Sequence, residues 1–187
     1  MSDVIKLQMA MDQIAAARAY TLTLLEDIDH DHWFHQANQA NQADQADQAD
    51  QADAASPTPT HIAWQVGHLA MAQYGLLLYR QRGRSMDDSS LMSSSFRKKF
   101  SRGTTVSRNP DFYPPVADIL NVFHAIYDQS MSELVEYPLD QLNDPVDAPY
   151  AAYPTKLGCL LFCVHHEMLH AGQIGLLRRL LAKDPIR

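Results

Sequence analysis

The chain is poor in cysteine, glycine and long apolar runs, and each shortage removes a class of protein. Two cysteines, Cys159 and Cys163, make no disulfide framework. Lying four apart in one helical stretch, they suit a pair of small, reduced core residues in a cytosolic protein. Seven glycines and a modest number of β-branched residues argue against a many-turned β protein. No apolar run reaches the ~18 to 20 residues needed to span a bilayer, so no membrane partner is expected. The opening MSDVIKLQMAMDQ is amphipathic and acid-containing, unlike a secretory leader, which makes the cytoplasm the expected location. Basic charge is short as well. Fifteen Lys and Arg against 22 Asp and Glu leave a net charge of -7, which weighs against a nucleic-acid partner.

What is present is helical. Apolar residues make up 46% of 187 positions, enough core for a single domain over residues 1–187. Val4, Leu7, Met11, Ile14, Ala17, Thr21, Leu24 and Ile28 follow one another in steps of three or four, the spacing of a long helix over about 4–28. A second helix is expected over about 59–81, with Thr58-Pro59 as N-cap and first residue and Gly83 beyond its end. A third, over about 113–137, is bracketed by Pro114-Pro115 and Pro138. A fourth, over about 155–182, begins with the apolar run LGCLLFCV and ends with Arg178, Arg179 and Lys183, which suit the C-terminal end of a helix dipole.

Two long connections separate these helices. Residues 38–53 repeat a triplet, NQANQADQADQADQAD, with almost nothing to bury, so residues 30–57 are expected to form a long polar loop without chemistry. The stretch from Arg82 to Asn109 is serine-rich. Between Arg80 and Arg108 it carries eight basic and two acidic residues, suggesting a solvated loop or a basic rim that draws an anionic ligand to the bundle mouth. Four helices without strand signals make the expected fold an all-α four-helix bundle with a long polar loop between helices 1 and 2.

Nine histidines are present, and spacing separates them. His30, His32 and His35 occupy the frayed end of helix 1, and His124 suits a hydrogen-bonded core or boundary position. His166 and His170 are four apart, so their rings lie about 40° apart around the helix, one turn above the other. They continue an apolar stripe through Cys159, Cys163, Gln173 and Leu177, and a buried pair of imidazoles needs a partner such as a divalent ion. His68, amid apolar neighbours on helix 2, is the best third ligand. His61 lies about 10 Å from it along the helix, too far to share an ion. Geometry alone thus selects His68, His166 and His170, with water completing an open site for zinc, nickel or iron.

Residues 166–170 also spell HEMLH, the HExxH of zinc proteases. Only 17 residues follow His170, none of them His or Glu, and AGQ does not continue the extended protease motif, so a zinc protease is not the expected function. Glu167 is left as either an acid/base group beside His166 or a surface charge. Cys159, Cys163, His166 and His170 span about 16 Å of one helix and cannot surround one ion.

The motifs Gly67-His68-Leu69-Ala70 and His166-x-x-x-His170-x-Gly172-Gln173, the latter followed by IGLLRRLL, resemble the DinB-like (DinB/YfiT-like) metalloenzyme family. The resemblance covers nearly the whole chain except the triplet repeat. It implies a four-helix bundle, often a homodimer, with a divalent metal on three histidines, here His68, His166 and His170. Relatives include thiol-dependent S-transferases and a maleylpyruvate isomerase. The expected function is therefore a metal-dependent enzyme acting on a small-molecule substrate, of transferase or hydrolase-like type, with a low-molecular-weight thiol as the favoured cofactor. Gln173, one turn past His170, is positioned to orient that ligand or a histidine ring. The alternative is a non-catalytic, stress-related metal-binding protein.

Overall fold

Apolar residues at helical spacing become four long helical segments in the computed structural model, which describes residues 1–36, 60–107, 109–147 and 151–186. Helix α1 spans Asp3–Leu25. Helix α2 spans Ile62–Gln73 and runs on through a π-helical segment, Tyr74–Tyr79, into a last turn, Arg80–Arg82. Two short helices follow, α3 (Asp88–Leu91) and α4 (Ser94–Phe100). The long α5 (Val116–Val135) and α6 (Lys156–Leu180) complete the set. Among the described residues the chain is all-α, with one isolated bridge between Pro145 and Thr155. None of these helices is long and apolar enough to cross a membrane.

Contacts fix the topology. Arg18 meets Glu167 and Asp27 meets Arg178, so α1 and α6 run parallel. Gln65 meets Gln173 and Gln81 meets the Lys156 carbonyl, so α2 runs against α6. Tyr113 packs on His61 and Glu133 pairs with Arg82, so α5 follows the direction of α2. The order is up, down, down, up, and the chain between α2 and α5 has to return along the bundle.

That return segment departs from the expected solvated loop. Met92, Phe96, Phe100 and Val106 are buried in the core, and α4 is capped by Ser93, whose hydroxyl accepts from the Phe96 N–H. Its i,i+4 pair of phenylalanines provides an apolar face that has to be covered. The end of α1 departs too. Residues 30–36, assigned to the polar loop, include a 3-10 turn, His30–His32, and a fully buried Trp33 whose indole N–H donates to the Ile28 carbonyl. Helix α2 starts later than the Thr58-Pro59 pair implies. His61 is its N-cap, with Nδ1 accepting from the Trp64 N–H at 3.1 Å. Thr58, Pro59 and the triplet repeat lie outside the described residues.

The core divides into two apolar clusters. One gathers Leu24, Trp33, Ile62, Leu69, Phe100, Phe123 and Ile174; the other gathers Leu7, Ile14, Leu77, Leu134, Cys159, Leu160 and Cys163. Between them lies a charge. Arg18 and Glu167, 2% and 1% exposed, form an ion pair with Nε to Oε1 at 3.0 Å. Arg18 also donates to the Phe123 carbonyl and to Gln73 Oε1, while Gln73 Nε2 donates to Glu167 Oε2 at 2.7 Å. The guanidinium lies over the Phe123 ring at 3.4 Å and the Tyr127 ring at 4.6 Å. Glu167 is thus neither a surface charge nor a group facing the histidines. Removing one partner of a buried pair strands the other, which costs about 3–5 kcal/mol, whereas removing both is far milder. Arg18→Leu should therefore lower the unfolding free energy by about 3–5 kcal/mol in denaturant titration. The double variant Arg18→Leu/Glu167→Leu should recover most of that loss.

Candidate metal centre

Helices α2 and α6 cross in antiparallel sense where His68 faces His166 and His170. Ring centroids stand 5.3 Å apart for His68–His166, 5.0 Å for His68–His170 and 4.5 Å for His166–His170. One nitrogen from each ring falls within 4.8 Å of the others. His68 and His170 are buried and His166 is half-buried. The three residues selected by spacing therefore come together, and the i,i+4 pair does present both rings to α2.

Each ring is held by groups outside the cluster. His68 Nδ1 lies 2.7 Å from the Phe100 carbonyl. Phe100 is the last residue of α4, where carbonyls lack helical partners, and a carbonyl can only accept. His68 must therefore donate from Nδ1 and keep its Nε2 lone pair. Trp64 stacks on the His68 ring at 4.8 Å and 7°, and its indole N–H donates to Thr104 Oγ1. Gly67 makes this possible: a Cβ there would collide with the Phe100 ring. On the other side His170 Nδ1 bonds to Gln65 Oε1. Gln65 Nε2 in turn donates to Gln173 Oε1 at 2.6 Å and Thr60 Oγ1 at 2.5 Å.

Burial sets the charge state. It is the main reason His68 sits below the usual histidine range, with the positive charge of Arg102 adding to it and the Phe100 carbonyl opposing it. Burial, then the neighbouring rings, lowers His166 to about 4 and His170 to about 3. All three imidazoles are neutral at pH 7, the form that ligates metal. The donor set suits a divalent ion. Tetrahedral zinc with bonds of about 2.0–2.1 Å needs nitrogens roughly 3.4 Å apart, so the widest pair closes by small side-chain rotations. Three protein nitrogens also leave a coordination position open, as in catalytic sites.

The remaining candidates lie elsewhere. His61 caps α2 and packs against Phe34 and Tyr113. His124, expected in the core or at its boundary, is exposed, as are His30, His35 and His165. Cys159 and Cys163 are buried free thiols. Gln173 contacts Gln65 rather than a histidine directly. Sequence reasoning passed over Gln65, Phe100 and Arg18. The signal for Gln65 was a polar residue inside the apolar run IAWQVGHLA, one turn before His68.

An all-helical chain with three convergent, neutral histidines between antiparallel helices falls in the class of helical proteins equipped to hold a metal ion. The model of the DinB superfamily matches residues 13–174, and the chain belongs to that superfamily. No curated protein and no solved structure matches it.

The lowered values have a consequence for the metal-free protein. A histidine with a folded pKa below its unfolded value of about 6.5 binds its proton more readily in the unfolded chain, so stability is lost as the pH falls. His61, lowered to about 4 chiefly by burial, acts in the same direction as His166 and His170. The urea midpoint of chelator-treated protein should be flat above pH 7 and decline as pH falls from about 6.5 to about 3.

Proposed function

We propose that this protein is a metal-dependent enzyme that holds a divalent ion on His68, His166 and His170 and transfers a small thiol to a small-molecule electrophile. The observation carrying this reading is the convergence of three neutral imidazoles whose nitrogens lie within 4.8 Å of one another. A divalent ion at such a site lowers the pKa of a bound thiol or water, or polarises a carbonyl.

The chain's own residues supply orientation and environment. The Phe100 carbonyl and the Gln65 carboxamide hold the outer nitrogens of His68 and His170. Trp64 covers one face of His68, and Phe162 lies 6.0 Å from His166, so aromatic surface borders the cluster. Arg102 places positive charge within electrostatic reach of His68, which favours an anionic ligand such as a thiolate. Burial raises the pKa of both Cys159 and Cys163, so neither is a ready nucleophile, and the reacting thiol has to come from solution. Zinc, nickel and iron all suit imidazole donors.

The homodimer that the resemblance implies fits an exposed apolar stripe on α6. Leu169, Leu176 and Leu180, at helical spacing on one face of α6, are 65%, 51% and 55% exposed. We take this surface as the contact of a homodimer. Sedimentation at micromolar concentration should give twice the chain mass, and a monomer mass refutes the pairing.

Elemental analysis should find about one divalent ion per chain in the purified protein and under a tenth of that in His170→Ala. Turnover with a panel of low-molecular-weight thiols and electrophiles should vanish in the same variant. Metal retention without any thiol-dependent turnover would instead identify a non-catalytic metal-binding protein.

A further inference from the structure

The hydrogen-bond chain behind His170 has a direction, and the direction decides whether that ring can bind metal. Gln65 is fully buried and makes three polar contacts: Oε1 with His170 Nδ1, and Nε2 with both Gln173 Oε1 and Thr60 Oγ1. Both hydrogens of its amide nitrogen are thereby used, and its oxygen is left to accept from His170. A proton on Nδ1 then puts the lone pair of His170 on Nε2. The reverse arrangement satisfies the same groups. There Gln65 Nε2 would donate to His170 Nδ1, while the Gln173 amide nitrogen and the Thr60 hydroxyl donated to Gln65 Oε1. The ring proton would then sit on Nε2, where a metal ion has to bind.

We infer that Gln65 is a positioning residue for the metal centre, and that Gln173 sets the direction of its carboxamide and so the tautomer of His170. The inference rests on the metal reading above, but the protonation of the ring can be measured without any metal. His68 needs no such device, because the Phe100 carbonyl cannot donate. His170 does need one, because a carboxamide can present either end. Gln173 is at the solvent-exposed end of this hydrogen-bond chain.

Substitutions at Gln173 give opposite signs. Gln173→Glu can only accept, so it retains the arrangement found here. Gln173→Lys can only donate, so it draws Gln65 Oε1 toward itself and turns the amide nitrogen toward His170. Long-range proton–nitrogen NMR of metal-free, histidine-labelled full-length protein at pH 7.5 reads the result. The wild type and Gln173→Glu should carry the His170 proton on Nδ1, Gln173→Lys should carry it on Nε2, and Gln65→Leu should give a mixture. Zinc competition against a chromogenic chelator should then show affinity about ten- to a hundredfold weaker in Gln65→Leu and Gln173→Lys. The inference is overturned if the wild-type proton is on Nε2, or if the tautomer is the same in Gln173→Glu and Gln173→Lys. The two exposed-site variants decide the matter even if Gln65→Leu does not fold. Should zinc fail to bind the wild type at all, the functional reading falls, while the NMR result still decides the role of Gln65.

Discussion

A charge cannot sit in the middle of an apolar bundle unless its partner is beside it, and the pairing of Arg18 with Glu167 meets that condition. Gln73, the Phe123 carbonyl and two aromatic faces use up most of what the two charged groups can offer. Rotating α6 by one residue about its axis would carry Glu167 away from α1 and leave two unpaired charges in the core. The ion pair therefore sets the rotation of α6. That rotation turns His166 and His170 toward α2, since each stands on a neighbouring position of the same helix. Structure and site are linked by this one interaction, although Glu167 touches none of the three rings.

The same layer explains the irregularity of α2. Gln73 is the last residue before the π-helical segment, and the wider turn there changes the phase of everything that follows. Leu76, Leu77 and Leu78 enter the core, while Tyr79, which regular helical spacing would place on the face of Trp64 and His68, is turned out to solvent.

The histidine cluster depends on what surrounds it as much as on its three rings. Its outer contacts come from a helix terminus that folds back over α2, from a glutamine inside α2, and from the exposed face of α6. Gly67 illustrates the economy of the GHLA motif: the residue beside His68 is small because Phe100 lies on it, and Phe100 carries the carbonyl that orients the His68 ring. Burial keeps the rings neutral, and the outer hydrogen bonds choose which nitrogen is free.

Helical periodicity and the i,i+4 spacing of His166 and His170 were sufficient to state the long helices, the all-α class and the three histidines, because those patterns are local and repeat every 3.6 residues. The family followed from two short motifs. Local pattern was insufficient for the segment between α2 and α5, where a serine-rich, basic composition hid two phenylalanines whose burial is decided by the groove they enter. Nor did it reveal the role of Glu167. An acidic residue next to a ligand has the same spelling whether it faces the ligand, the solvent or an arginine 149 positions away. The sequence by itself thus determined which residues could ligate and on which helices they stand. Only the tertiary structure decided which groups hold them, because partners for buried polar atoms are chosen by proximity in space, and proximity between distant segments has no period along the chain.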